Sequence, residues 1–229
     1  MNKKQKALIS LSTVFIILFI IWTVLVKFVD TAPIGPQRSS VGFSHLNEYI
    51  RNLIGVNMTL YKVTDWLGIL PLLIASGFAV LGLTQLIARK RLFKVDKSIL
   101  LLGVFYCSVI FVFFFFEKVI INYRPVLIDG ILEGSYPSST TLLFTTVMPT
   151  AILELSVRIK RGKTRVFILS VLAIITAFSV VGRIISGVHW ITDIIGGLFI
   201  SAGLDLMYIA FRGILIKIEE KIDTGQVIC

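Results

Sequence analysis

The chain has 229 residues, of which 56% are hydrophobic and 16% charged, and its mean hydropathy is +0.91. Soluble domains average about 45–50% apolar, and no polar stretch here is long enough for a separate soluble unit, so residues 1–229 are expected to form one integral membrane domain. The net charge of +10 is spread beside apolar runs instead of forming one basic patch, which argues against nucleic-acid binding and fits attraction to anionic lipid headgroups.

Six apolar runs approach or exceed the roughly 20 residues that span a bilayer. They lie near 7–29, 66–88, 98–117, 137–157, 166–185 and 190–211. The first follows Lys3, Lys4 and Lys6. It is longer than the apolar region of a secretion signal and is followed by no small-residue cleavage site, so it reads as a retained helix. Between the first two runs, Asp30 to Asp65 is polar and contains Pro33 and Pro36. Within it Phe43, Leu46, Tyr49, Ile50, Leu53 and Ile54 recur at helical spacing, which predicts an interfacial amphipathic helix over about 41–55. His45, among Ser44 and Asn47, reads as a solvated surface histidine.

The second run ends at Arg89-Lys90-Arg91, and Asp65 is expected to cap its start. The third finishes in Phe113 to Phe116, read as packing against lipid or neighbouring helices, followed by Glu117 and Lys118. The fourth opens with Pro137, suited to a first helical turn, then Ser138, Ser139, Thr140 and Thr141. Those hydroxyls can cap a helix or, with its free N–H groups, hold an anion. Gly196-Gly197 in the last run permits close helix packing. Glu154 and Asp205 fall toward the opposite membrane face and are expected to pair with basic loop residues. Trp66 and Trp190 read as interfacial anchors.

Lysine and arginine set the orientation. With the N-terminus cytoplasmic, 16 of the 23 basic residues fall inside, in the N-terminal segment, the Arg89–Lys97 and Arg158–Arg165 loops and the tail from Arg212. Both ends are therefore expected in the cytoplasm of a multi-pass plasma-membrane protein. Cys107 lies within a run and Cys229 at the end of the sequence, and they suggest neither a disulfide nor a metal cluster. Cys229 also lacks the following residues of a prenylation signal.

Three short segments then share the outer side: Lys118 with Arg124-Pro125, Pro137 to Thr141, and Arg183, His189 and Asp193. Ionisable groups beside hydrocarbon mark sites. Arginine offers a planar fork of donors to phosphate. His189 and Asp193 are four apart, so on a helix they share a face and the carboxylate can orient the ring. A phosphate-handling histidine–aspartate pair follows from these residue types.

These segments resemble the type-2 phosphatidic acid phosphatase superfamily, which shares its core with vanadium-dependent haloperoxidases. Its signatures are Lys-x6-Arg-Pro, Pro-Ser-Gly-His and Ser-Arg-x5-His-x3-Asp, and Arg183, His189 and Asp193 keep the spacing of the third. The resemblance implies an all-α six-helix membrane bundle with an acid phosphatase/haloperoxidase-like core over about 66–211. It implies a metal-independent hydrolase of phosphoric esters or anhydrides that uses no cofactor. His189 would be the nucleophile and form a phosphohistidine, with Asp193 fixing its tautomer. Lys118, Arg124 and Arg183 would clamp the phosphoryl oxygens, and Ser138, Ser139 and Thr140 would line the phosphate site.

The departures shape the expected substrate. Lys118 is five residues before Arg124, with Glu117 at the strict lysine position; Ser139 replaces a glycine, Gly182 a serine, and Thr140 the histidine that protonates the leaving group. Expelling an alkoxide, whose conjugate acid resembles water with a pKa of roughly 16, needs an acid worth on the order of 10²–10⁴-fold. A phosphate leaving group, with a second pKa of about 6, departs without a proton. The expected substrates are lipid phosphates and, preferentially, prenyl diphosphates such as the undecaprenyl carrier of cell-wall synthesis. The alternative is a pseudoenzyme that binds lipid phosphates or partners a membrane assembly. A transporter would need mid-membrane polar groups or broken spans in paired halves, and Asp205 and Pro71 do not make that pattern.

Overall fold

The computed structural model describes residues 1–223, so Cys229 lies outside the described residues, while Cys107 is free and exposed. Among the described residues the chain is helical, with α1 (Lys3–Phe28), α2 (Ser44–Ile54), α3 (Met58–Leu67), α4 (Ile69–Arg89), α5 (Lys97–Lys118), α6 (Ser139–Arg158), α7 (Lys163–Ser186) and α8 (Ile191–Asp223). Six stretches are long and apolar enough to cross a membrane, α3 and α4 together forming the second. Large side chains such as Ile20, Leu73, Val104, Phe111 and Phe167 face outward along these helices, as spans surrounded by lipid require.

Local sequence sets the helix ends. Asn2 accepts from the Gln5 N–H and Gln5 answers with its side chain on the Asn2 N–H, both at 2.9 Å, a reciprocal cap for α1. Asn57 caps α3 through the Leu60 N–H at 2.9 Å. The second span therefore starts at Met58, eight residues before its expected start at 66. Leu60, Tyr61, Thr64 and Leu67 give α3 a face to pack, and Lys62 and Asp65 had disguised it. Gly68 separates α3 from α4, and Asp65 does not cap α4.

The packing centres on α6, the most buried span, which touches α4, α5, α7 and α8. α8 also carries α1 along its length. Small residues allow that closeness: the Ser12 hydroxyl bonds the Gly203 carbonyl at 2.6 Å. A Cβ on Gly197 would lie 3.2 Å from Thr141, and one on Gly196 2.6 Å from the Tyr136 ring, so the glycine pair does permit close packing.

The expected amphipathic helix is α2, with its polar face turned inward. Leu46, Tyr49 and Leu53 are exposed, whereas Asn47 is buried and bonds Gly42 O at 2.7 Å and Thr192 Oγ1 at 3.0 Å. His45 is exposed as expected and pairs with Asp30 at 2.7 Å. Hydrogen bonds from the His45 backbone and ring hold the Asp30 carboxyl below its usual range.

At the other end of the bundle, Glu154 is buried among Arg158, Arg212 at 2.5 Å and the Tyr208 hydroxyl at 2.8 Å. This is the pairing expected of Glu154; Asp205, expected to pair in the same way, has its Oδ1 buried without a hydrogen-bond partner. The expectation for Trp190 is overturned. Trp66 is exposed like an anchor, but Trp190 is buried and its indole N–H bonds Tyr123 O at 2.7 Å. Its polar edge finds a carbonyl in place of the interface.

Candidate active site

The turn between α7 and α8 carries His189. Gly187 ends α7 with φ 62°, and a Cβ there would lie 1.9 Å from Gly55 O, so both the backbone and the space demand glycine. Beside it the Asn57 N–H bonds Ser186 O at 2.9 Å, which ties the start of α3 to the turn.

His189 precedes α8, so the pair with Asp193 does not rest on a shared helix face as the spacing implied. Asp193, in the first turn of α8, reaches back to the Trp190 N–H at 3.0 Å, the acidic half of a capping box. That bond brings Asp193 Oδ2 to 3.6 Å from His189 Nδ1. The distance is that of an ion pair and longer than a hydrogen bond. The Ser138 N–H bonds Asp193 O at 3.1 Å, so the starts of α6 and α8 are fastened together.

Residues 119–138 fold back over the turn. Tyr123 pairs with Gly134 and Ile128 with Ile131, and the Arg124 N–H bonds Glu133 O at 3.0 Å. Arg124 is thereby presented to the histidine: its Nη1 is 3.0 Å from His189 Nε2 and its Nε 3.0 Å from Glu133 Oε2. Arginine has no acceptor, so Nε2 must accept. The ring is therefore neutral, with its proton on Nδ1 toward Asp193. Burial first, then the charges of Arg124 and Arg183, hold the His189 pKa well below its ordinary 6.5.

Arg183 lies behind the histidine and is wholly buried. Its Nη2 donates to Asp65 Oδ1 at 2.6 Å and to Thr140 Oγ1 at 2.5 Å, while Nε and Nη1 have no hydrogen-bond partner. The Tyr61 ring sits 4.8 Å from the Arg183 guanidinium and 5.7 Å from that of Arg124.

A cleft of about 260 Å³ opens onto this group, lined among others by Phe113, Phe116, Glu117, Arg124, Ser139 and His189. The structure thus brings Arg124, His189 and Ser139 to the cleft, with Arg183, Asp193 and Thr140 packed around them. Ser138 is buried and spent on the cap, accepting from the Thr141 N–H at 3.4 Å and its hydroxyl at 3.0 Å. Lys118 is exposed and does not line the cleft; Glu117 does. Neighbours on a helix point about 100° apart, so turning one inward turns the other away. Phe114 and Phe115 face outward as expected, whereas Phe113 and Phe116 are walls of the cleft.

Sequence reasoning missed Asp65, Tyr61 and Glu133. A carboxylate beside a membrane span signals a partner, and for Asp65 that partner is Arg183. Among the described residues no three of His, Cys, Asp and Glu gather as a metal set.

Residues 114–215 match the PAP2 superfamily. A crystal structure of a transmembrane PAP2-type phosphatidylglycerolphosphate phosphatase from Bacillus subtilis matches the fold with a TM-score of 0.60. The two are 19% identical, and the alignment covers 90% of this chain and 96% of that one. None of the curated proteins matches the chain. The fold is that of a transmembrane PAP2 phosphatase, and the chain is a multi-pass membrane protein.

Proposed function

We propose, from the premise that residues 114–215 are a PAP2 superfamily segment on a transmembrane PAP2 fold, that this chain is a lipid phosphatase working through a phosphohistidine on His189. The observation that carries the reading is the row Arg124–His189–Asp193, with 3.0 Å on the Nε2 side and 3.6 Å on the Nδ1 side. The carboxylate faces the protonated nitrogen and the cation faces the lone pair, the tautomer a nucleophile needs.

In the proposed reaction the substrate phosphate enters between Arg124 and the ring and takes over the guanidinium donors. Nε2 forms a bond to phosphorus while the bond from phosphorus to the leaving oxygen breaks. Asp193 steadies the positive charge that develops on the imidazole. Arg124 and Arg183 stabilise the equatorial oxygens, with Ser139 as a neutral donor and without a metal. Water then attacks the phosphohistidine, Nε2 leaves with its electron pair, and inorganic phosphate is released.

The leaving group is where this site is poor. Thr140 Oγ1 accepts from Arg183 and carries no acid suited to protonate an alkoxide. The reading therefore favours lipid diphosphates of the prenyl type, which expel a lipid phosphate unaided, over monoesters. Basic-residue asymmetry supports both chain ends in the cytoplasm of a plasma membrane and the cleft on the outer side, with α1 and α2 acting as one unit with the core. The same Thr140 favours a second reading, a lipid-phosphate binding protein without turnover.

The test is phosphate release by the full chain in detergent, without added metal, from a prenyl diphosphate, phosphatidic acid and phosphatidylglycerol phosphate, beside His189→Ala. Release that vanishes in the variant, with a labelled histidine trapped on acid-free quenching, supports the reading. No release from any lipid rejects turnover and leaves the binding protein.

A further inference from the structure

α3 reaches the site from outside the matched segment. Tyr61 and Asp65 are four apart on it and so share one face. That face meets Arg183, which is fully buried, while the Asp65 side chain is 56% exposed. A half-exposed carboxylate thus neutralises a guanidinium that is itself wholly buried. Asp65 and Thr140 both engage Nη2. Arginine has five N–H donors in a fixed plane, so the two acceptors fix that plane through one nitrogen and leave Nε and Nη1 unbonded. The Tyr61 ring is within cation–π range of both arginines, at 4.8 and 5.7 Å.

A departure from the family pattern makes this approach possible. α3 packs on α7, and a Cβ on Gly182 would lie 2.6 Å from Thr64 Cγ2. The serine of the third signature does not fit there with α3 in place. Gly182 and Asp65 are two parts of one arrangement, the first admitting the helix and the second being what it delivers.

We infer that Asp65, with Tyr61 beside it, is a positioning residue for the phosphate-binding arginines, holding Arg183 by one nitrogen so that its other donors meet the phosphoryl oxygens. The inference rests on the phosphatase reading. It opposes the simpler view that Asp65 competes with phosphate for Arg183. A positioning carboxylate lowers turnover when removed, and a competing one raises it.

The experiment measures kcat and KM for the preferred lipid with Asp65→Asn, Asp65→Ala and Asp65→Glu, with thermal unfolding recorded for each. The expected result is a fall in kcat of at least tenfold for Asn and Ala, a smaller change in KM, and partial recovery with Glu. An unchanged or raised kcat/KM in folded protein overturns the inference. Gly182→Ser should reproduce the loss, and Thr64→Ser/Gly182→Ser, which removes the obstructing Cγ2, should restore it; a folded double variant that stays impaired also overturns it. If the unaltered chain releases no phosphate from any lipid, the phosphatase reading has failed on its own. Binding of inorganic phosphate then decides, with at least fivefold weaker binding expected for Asp65→Ala and equal or tighter binding overturning the inference.

Discussion

Arg124 Nη1 rests 3.0 Å from His189 Nε2, so the loop arginine covers the nitrogen that attacks phosphorus in the proposed reaction. An incoming phosphate offers Arg124 better acceptors and uncovers the lone pair in the same movement. Arg124→Ala is expected to lower kcat/KM on the order of 10²–10³-fold, as loss of a preorganised transition-state donor does. Steady-state kinetics on the preferred lipid measure it.

The pH dependence follows first from the burial of the same ring and then from the Arg124 and Arg183 charges beside it. The folded chain resists protonating His189, whose pKa lies well below 6.5, while the unfolded chain protonates it near 6.5. As pH falls through 6.5 the unfolded state therefore binds the extra proton, and stability falls. Above 6.5 both states are neutral and the group contributes no slope. The chain has two histidines, so imidazole NMR of His45→Ala isolates His189. Its midpoint is expected below 6.5 and should rise in Arg124→Ala, which removes a neighbouring cation.

With Thr140 occupied by Arg183, the rate should depend steeply on how good the leaving group is. p-Nitrophenyl phosphate and a prenyl diphosphate are expected to turn over faster than an alkyl phosphate by about 10²-fold or more, the worth of the missing acid. A flat dependence across a leaving-group series would mean that another group supplies the proton.

Glu117 lines the cleft that is proposed to take a phosphate and would present it with a negative charge. Glu117→Gln is expected to lower KM for a phosphorylated lipid by roughly threefold to tenfold, and Glu117→Lys by more, given about 1 kcal/mol for a charge pair across a solvated cleft. An unchanged KM in both variants would show that the carboxylate is held away from the bound phosphate.

Gly187→Ala is expected to cost about 1–3 kcal/mol for the left-handed backbone alone, and more for a Cβ placed 1.9 Å from Gly55 O. Thermal unfolding and the yield of monodisperse protein read the loss, which should exceed that of Gly130→Ala, where a Cβ meets nothing within 4 Å.

Much of this was written in local pattern. Long apolar runs located the spans, because bilayer thickness fixes their length whatever they pack against. The spacing of Arg183, His189 and Asp193 located the turn that carries His189, although the physical link proved to be a capping bond to Trp190 in place of a helix face. Asp65 was out of reach because its partner is 118 residues away and a cap was the nearer explanation. Lys118 and Glu117 could not be ordered by composition, since which one faces the cleft depends on the rotation of α5. Trp190 looked like any interfacial tryptophan until the loop carrying Tyr123 closed over it.

The carboxylate of Asp193 closes the first turn of α8 as well as facing the histidine. Natural selection for a well-folded protein would therefore preserve it in descendants that had abandoned chemistry altogether. The His189 ring bonds Arg124 and ends no helix. On the proposed reading, then, loss of the histidine with retention of the aspartate is the pattern that would mark a retired enzyme among related sequences.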